Sequence, residues 1–202
     1  MDSKMFIKAI LAGFYIGIAG LVYLSVENKV LGSLLFSSGL LLVVTKDYFL
    51  YTGKAGYLVP YEKGYIKILL KTILGNAIGI SVVGFLYLLT KNDFIMAHTE
   101  TIIHAKLDKN IFISFVLAIF CGMLMYTGVE GYKKIDHKQI RMLIVIFAVM
   151  IFILSGFEHS IANMLYIIIG KAFTWKALLY LVVWIIGNLV GAVFLNVLEV
   201  NK

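Results

Sequence analysis

The chain has little of what a soluble or secreted domain depends on. Its 202 residues include one cysteine, Cys121, and one proline, Pro60. A single cysteine excludes a disulfide framework within the chain. Pro60 lies in a polar stretch and interrupts no apolar run. Charged residues make up 14% of the sequence, against about 25% in soluble domains. His98, His104 and His137 fall in polar stretches and, with His159, show no metal-ligand spacing. No glycine-rich phosphate loop follows a strand-like run, and no carboxylate pair sits at helical spacing within an apolar run. The net charge of +7 is spread over lysines between apolar runs. That pattern suits anionic lipid and gives no nucleic-acid interface.

Hydrophobic residues are abundant, at 61% of the sequence. The chain therefore reads as an integral all-α membrane protein. A bilayer core of about 30 Å takes about 20 apolar residues per helix. Six candidate spans follow: Phe6–Val26, Leu31–Tyr51, Ile66–Thr90, Ile111–Gly128, an interrupted Ile140–Gly170, and Ala172–Val200. The first has a short basic start, but its apolar run is long and no small-residue cleavage site is clear, so it reads as a span rather than a leader. With the N-terminus inside, the inner segments hold Lys4, Lys8, Lys54, Lys63, Lys67, Lys71, Lys133, Lys134, Lys138, Arg141 and Lys202. The outer ones hold Lys29, Lys91, Lys106, Lys109, Lys171 and Lys176. This bias places both termini in the cytoplasm and the protein, as a multi-pass chain, in the cytoplasmic membrane. The segments near 53–65 and 91–110 read as loops too short to fold alone, so residues 1–202 form one transmembrane domain.

Two segments repeat. Gly75-Asn76-x-x-Gly79 in span three matches Gly187-Asn188-x-x-Gly191 in span six. Small residues at this spacing let helices approach closely. Asn76 and Asn188 read as structural, through packing and interhelical hydrogen bonds. The second span of each half is irregular: span two ends "VVTKDYFLYTG" and span five contains "SGFEHSIAN". With three spans per half, the halves (approximately 1–92 and 105–202) must be inverted repeats. Broken helices at matching places in inverted repeats point to a midplane transport site. In span five, Glu158, His159 and Asn163 sit between apolar runs. Ionisable groups are costly to bury there, which makes His159 a functional candidate, with a satisfied neutral core histidine as the other reading. Glu158, adjacent in sequence, reads as structural, bonding backbone of the broken helix or a neighbouring subunit.

"GFEHSIANM" (156–164) resembles the signature of the formate/nitrite transporter family. "FSSGLLLVVTKDYFLYTG" (36–53) is similar to that family's broken span two, with Leu50-Tyr51-Thr52 where the family's Ω-shaped loop has Leu-Phe-Thr. The paired Gly-Asn-x-x-Gly segments are also similar. The resemblance covers nearly all six spans. It implies an aquaporin-like fold of two inverted three-helix repeats with helices two and five broken, a pore in each subunit, and a homopentamer. It further implies passage of small monovalent anions such as formate, nitrite or hydrosulfide, linked in some members to protons, with no cofactor and no enzymatic activity. The central pore histidine falls on His159, the asparagine of the same motif on Asn163 and the Ω-loop threonine on Thr52. Apolar constriction positions fall on Phe36, Leu40, Leu50 and Phe152, with Tyr51 where the family often has Phe. The vestibule lysine falls on Lys106, with Lys109 as the competitor. Two departures stand out: Gly122 occupies a place where the family often has a polar Asn, and Lys46 sits near the Ω loop.

These residues suggest a path for a weak acid. An anion pays a Born penalty in a narrow apolar pore. Lysine at a mouth concentrates anions, and a neutral acid crosses apolar rings far more easily than its anion. Protonation near His159 is therefore expected. A membrane enzyme or assembly factor using the Glu158/His159 pair would need more polar residues converging in the spans. A water or glycerol channel would need paired Asn-Pro-Ala motifs, which are missing.

Overall fold

The computed structural model describes residues 3–200; Lys202, counted above among the inward charges, lies outside them. Its helices are α1 (Ser3–Leu24), α2 (Lys29–Thr45), α3 (Tyr51–Lys54), α4 (Tyr65–Leu88), α5 (Asp93–Leu107), α6 (Ile111–Lys134), α7 (Lys138–Leu154), α8 (Ser160–Ile169) and α9 (Trp175–Val200). A 3-10 turn, Ala55–Leu58, continues α3. Four of them (α1, α4, α6 and α9) are long and apolar enough to cross a membrane. Spans two and five are each divided, as α2 with α3 and α7 with α8. Asparagine side chains start several helices by accepting free amide protons: Asn28 for α2, Asn92 for α5 and Asn110 for α6.

The repeated glycines bring α1 onto α4 and α6 onto α9. A Cβ at Gly79 would run into the Ile10 carbonyl oxygen, and one at Gly191 into that of Ile119. Van der Waals contact at such range replaces the hydrophobic drive that lipid cannot supply. The same logic accounts for Gly122. Its Cβ position is filled by the Asn188 carbonyl oxygen, so an asparagine there has no room.

Asn76 and Asn188 stitch the two breaks in the same way. Asn76 Oδ1 accepts from the Tyr51 amide at 2.8 Å, and its Nδ2 donates to Ala9 O and Phe49 O, both at 2.8 Å. Asn188 Oδ1 accepts from the Ser160 amide at 2.9 Å, and its Nδ2 donates to Ala118 O and Glu158 O, both at 2.8 Å. Backbone freed by a broken helix must be satisfied inside the protein when water is absent. Asp47 (φ 49°) and Gly156 (φ 67°), in left-handed conformation, turn the chain into each break.

One expectation is corrected. Residues 93–107, read as loop, form α5. Ile95, Thr99, Ile103 and Leu107 recur every fourth residue and are its buried face. The helix is too short and too polar to span, so a search for apolar runs passes over it. His98 and His104 accordingly lie on a helix rather than in a loop.

Candidate functional site

The break in span five places His159 at the first position before α8. Its Nδ1 accepts from the Ala162 amide at 3.1 Å, capping the helix. A nitrogen that accepts carries no proton, so the ring is neutral with its proton on Nε2. Nε2 faces Thr52 Oγ1 at 3.0 Å, from the start of α3. Thr52 thereby accepts from the ring and keeps its own hydroxyl proton for another acceptor. Both side chains are buried. The His159 ring stacks on Phe152 at 5.3 Å between centroids, and Phe152 meets Phe36 edge to face at 5.9 Å.

Glu158, wholly buried, is the centre of a charged cluster. Lys106 Nζ reaches one carboxylate oxygen at 2.6 Å and Lys109 Nζ the other at 2.7 Å. Asn163 Nδ2 donates to the carboxylate at 2.9 Å. Both lysines are there: α5 delivers Lys106 and the turn into α6 delivers Lys109. The backbone partner expected for the Glu158 side chain is corrected. Its carboxylate bonds side chains, while its carbonyl is what Asn188 ties to the break. Two ammonium groups against one carboxylate leave a positive excess.

Two cavities approach the Thr52–His159 contact from opposite sides. One, about 530 Å³, is walled by Lys106, Lys109, Phe152, His159 and Asn163, with Tyr23 and Phe94 towards its mouth. The other, about 220 Å³, ends at Leu50 and is bordered by Lys54, Lys133 and Arg141. Phe36, Leu40, Tyr51 and Thr52 border neither; Thr52 is wholly buried behind His159, which lines the first, and between Leu50 and Gly53, which line the second. Phe36 backs Phe152, Leu40 is in the core, and the Tyr51 hydroxyl donates to Ile185 O at 2.9 Å. Lys46 ends α2 and lines neither cavity.

Sequence reasoning passed over a second polar knot, which closes the bundle beside the 3-10 turn. Tyr126 OH donates to Asn196 at 2.9 Å, Asn196 Nδ2 donates to Gly56 O and Val59 O, and Tyr57 OH donates to Glu130. Asn196 and Glu130 are polar residues within long apolar helices, and that was the available signal.

A sequence profile described as "Formate/nitrite transporter" matches residues 2–200. The formate channels FocA of Escherichia coli K12 and O157:H7 are each 28% identical over 193 residues, covering 83% of this chain. The chain spans 66% of the length of those relatives. A solved pentameric formate channel with formate bound is 26% identical, with a TM-score of 0.82 over 98% of this chain and 96% of its own. A solved FNT family ion channel, 21% identical, shares the fold with a TM-score of 0.85 over 98% of this chain and 88% of its own.

Proposed function

The chain belongs to the formate/nitrite transporter family, and from that premise we propose that it is a channel passing small monovalent weak-acid anions (formate, nitrite or hydrosulfide) across the cytoplasmic membrane. In this reading it is a homopentamer of one-domain subunits, each with its own pore between inverted repeats and both termini in the cytoplasm. The observation that carries the reading is the Thr52–His159 hydrogen bond at 3.0 Å, set between a cavity lined by His159 and the cationic cluster and a second cavity lined by Leu50 and Gly53.

Lys106 and Lys109 draw the anion into the larger cavity. There it takes up a proton that enters from the bulk through the water in the cavity, near His159 rather than from the ring, whose one proton, on Nε2, is engaged with Thr52. The neutral acid then passes Phe152 and Leu50 at far lower cost than its anion. Thr52 offers its hydroxyl proton on the way, and Asn163 holds Glu158 in place. A membrane enzyme built on a Glu158/His159 pair is disfavoured, because the two side chains bond to different partners.

Proteoliposomes loaded with formate, nitrite or hydrosulfide provide the test. Wild-type flux rises as external pH falls towards the acid's own pKa, and glycerol does not pass. His159→Phe removes the donor to Thr52 and the polar lining beside which the acid is protonated, and so cuts the flux gained at low pH. If pH-dependent flux survives the substitution intact, the role given to His159 is wrong.

A further inference from the structure

The matching ties of Asn76 and Asn188 set the two halves in register. They pair Phe49 with Glu158 and Tyr51 with Ser160, and therefore Leu50 with His159 and Lys54 with Asn163. The chemistry at these paired positions differs. In one half, Asn163 holds a carboxylate already bound by two lysines. In the other, the carboxylate is replaced by the Phe49 ring, and the amide by the Lys54 ammonium lying 4.4 Å over that ring. Lys54 is only 15% exposed, and among the described residues its ion-pair partner is Asp47 at 3.7 Å, beyond hydrogen-bond range. Asp47 is 69% exposed and more closely engaged by Lys8 at 3.2 Å. Lys133 and Arg141 border the same cavity, each over a tyrosine ring, at 4.1 and 4.8 Å, and Lys133 Nζ also donates to the Tyr57 hydroxyl at 2.7 Å, which leaves Lys54 the less engaged of the two lysines.

Three cations and one loosely held carboxylate around 220 Å³, ending at Leu50, make an electropositive cup one residue step from Thr52. Desolvated ammonium groups lacking a close carboxylate favour a small anion, since aromatic faces compensate only part of the lost hydration. Resting on the function proposed above, we infer that this cup is a second anion-binding site, at the mouth opposite Lys106. It takes a small monoanion of the same class, with Lys54 as its principal ligand and Asp47 as the counter-ion the anion displaces. Each mouth then has its own recruiting charge, built from unlike residues: a lysine pair on a buried carboxylate at one, a lysine over an aromatic ring at the other.

The test measures formate flux with the anion supplied to one side at a time, in membrane vesicles of both orientations. Lys54→Asn, which places at this position the residue that occupies the paired one, raises the apparent KM from the Lys54 side by about fivefold, the loss of one partly screened charge. KM from the Lys106 side is unchanged. Lys54→Arg keeps the charge and stays within about twofold of wild type. Asp47→Asn, tolerated at its left-handed backbone position, removes the competitor and lowers KM from the Lys54 side. Should Lys54→Asn fail to fold, the Asp47→Asn measurement decides alone. A KM that shifts equally from both sides, or that ignores both substitutions, overturns the second site while leaving the channel reading intact. Wild-type vesicles that pass no weak-acid anion in either direction overturn the channel reading itself.

Discussion

At the scale of single residues, Glu158 shows how charge is kept inside this molecule. A wholly buried carboxylate pays a heavy desolvation cost, and two lysine ammoniums at 2.6 and 2.7 Å offset it. Glu158→Gln leaves those two ammoniums facing each other across a neutral amide. It should lower stability by about 2–4 kcal/mol, read as a drop in the melting temperature of the detergent-solubilised protein. Adding Lys109→Met removes one of the stranded charges and should recover part of the loss. A double variant no more stable than Glu158→Gln would mean the carboxylate is not the counter-charge of Lys109. Sequence showed that Glu158 and His159 were costly to place in an apolar run. It could not show their partners, because Lys106 and Lys109 lie some fifty positions away, one on a helix the apolar pattern concealed and the other in the turn that follows it.

At the scale of elements, the broken helices depend on two asparagines. Each makes three side-chain hydrogen bonds, two to the backbone of a break and one to the neighbouring helix, α1 or α6. Asn188→Leu and Asn76→Leu each orphan buried backbone groups, at about 1–3 kcal/mol per group. Both variants should melt lower than wild type and resist refolding, and a melting point unchanged for either would show that its break is held by something else. The interruptions in spans two and five were visible as polar residues and glycine at the ends of apolar runs. The paired Gly-Asn segments were legible too, though only as a packing motif; that the asparagine stitches a break in another helix needs the third dimension. Helix α5 was missed for a clear reason. Its buried face comes from Ile95, Thr99, Ile103 and Leu107, a four-residue period on a background too polar to count as a span.

At the scale of the whole molecule, composition settled the solvent before any motif did. The outward side chains bear this out: Leu70, Leu74, Phe85, Phe147, Leu178 and Phe194 are all exposed, as expected of surfaces facing lipid tails or neighbouring copies. Native mass spectrometry of the solubilised protein should find an assembly of five 22.6 kDa chains. A monomer under conditions that preserve activity would show that the pentamer is not needed. That the chain is helical and apolar enough to cross a membrane was readable from residue counts. The number of copies was not, because an apolar face presented to lipid looks the same in sequence as one presented to another subunit.

The ring proposed to meet the passing acid is also the first peg of α8, since its Nδ1 holds the Ala162 amide. Placing a second proton on that ring would mean pulling the peg, and the opening turn of the helix would come loose with it. Imidazolium chemistry at this point is thus geared to a small mechanical unwinding, and the ring stays chemically quiet for as long as that helix end stays wound.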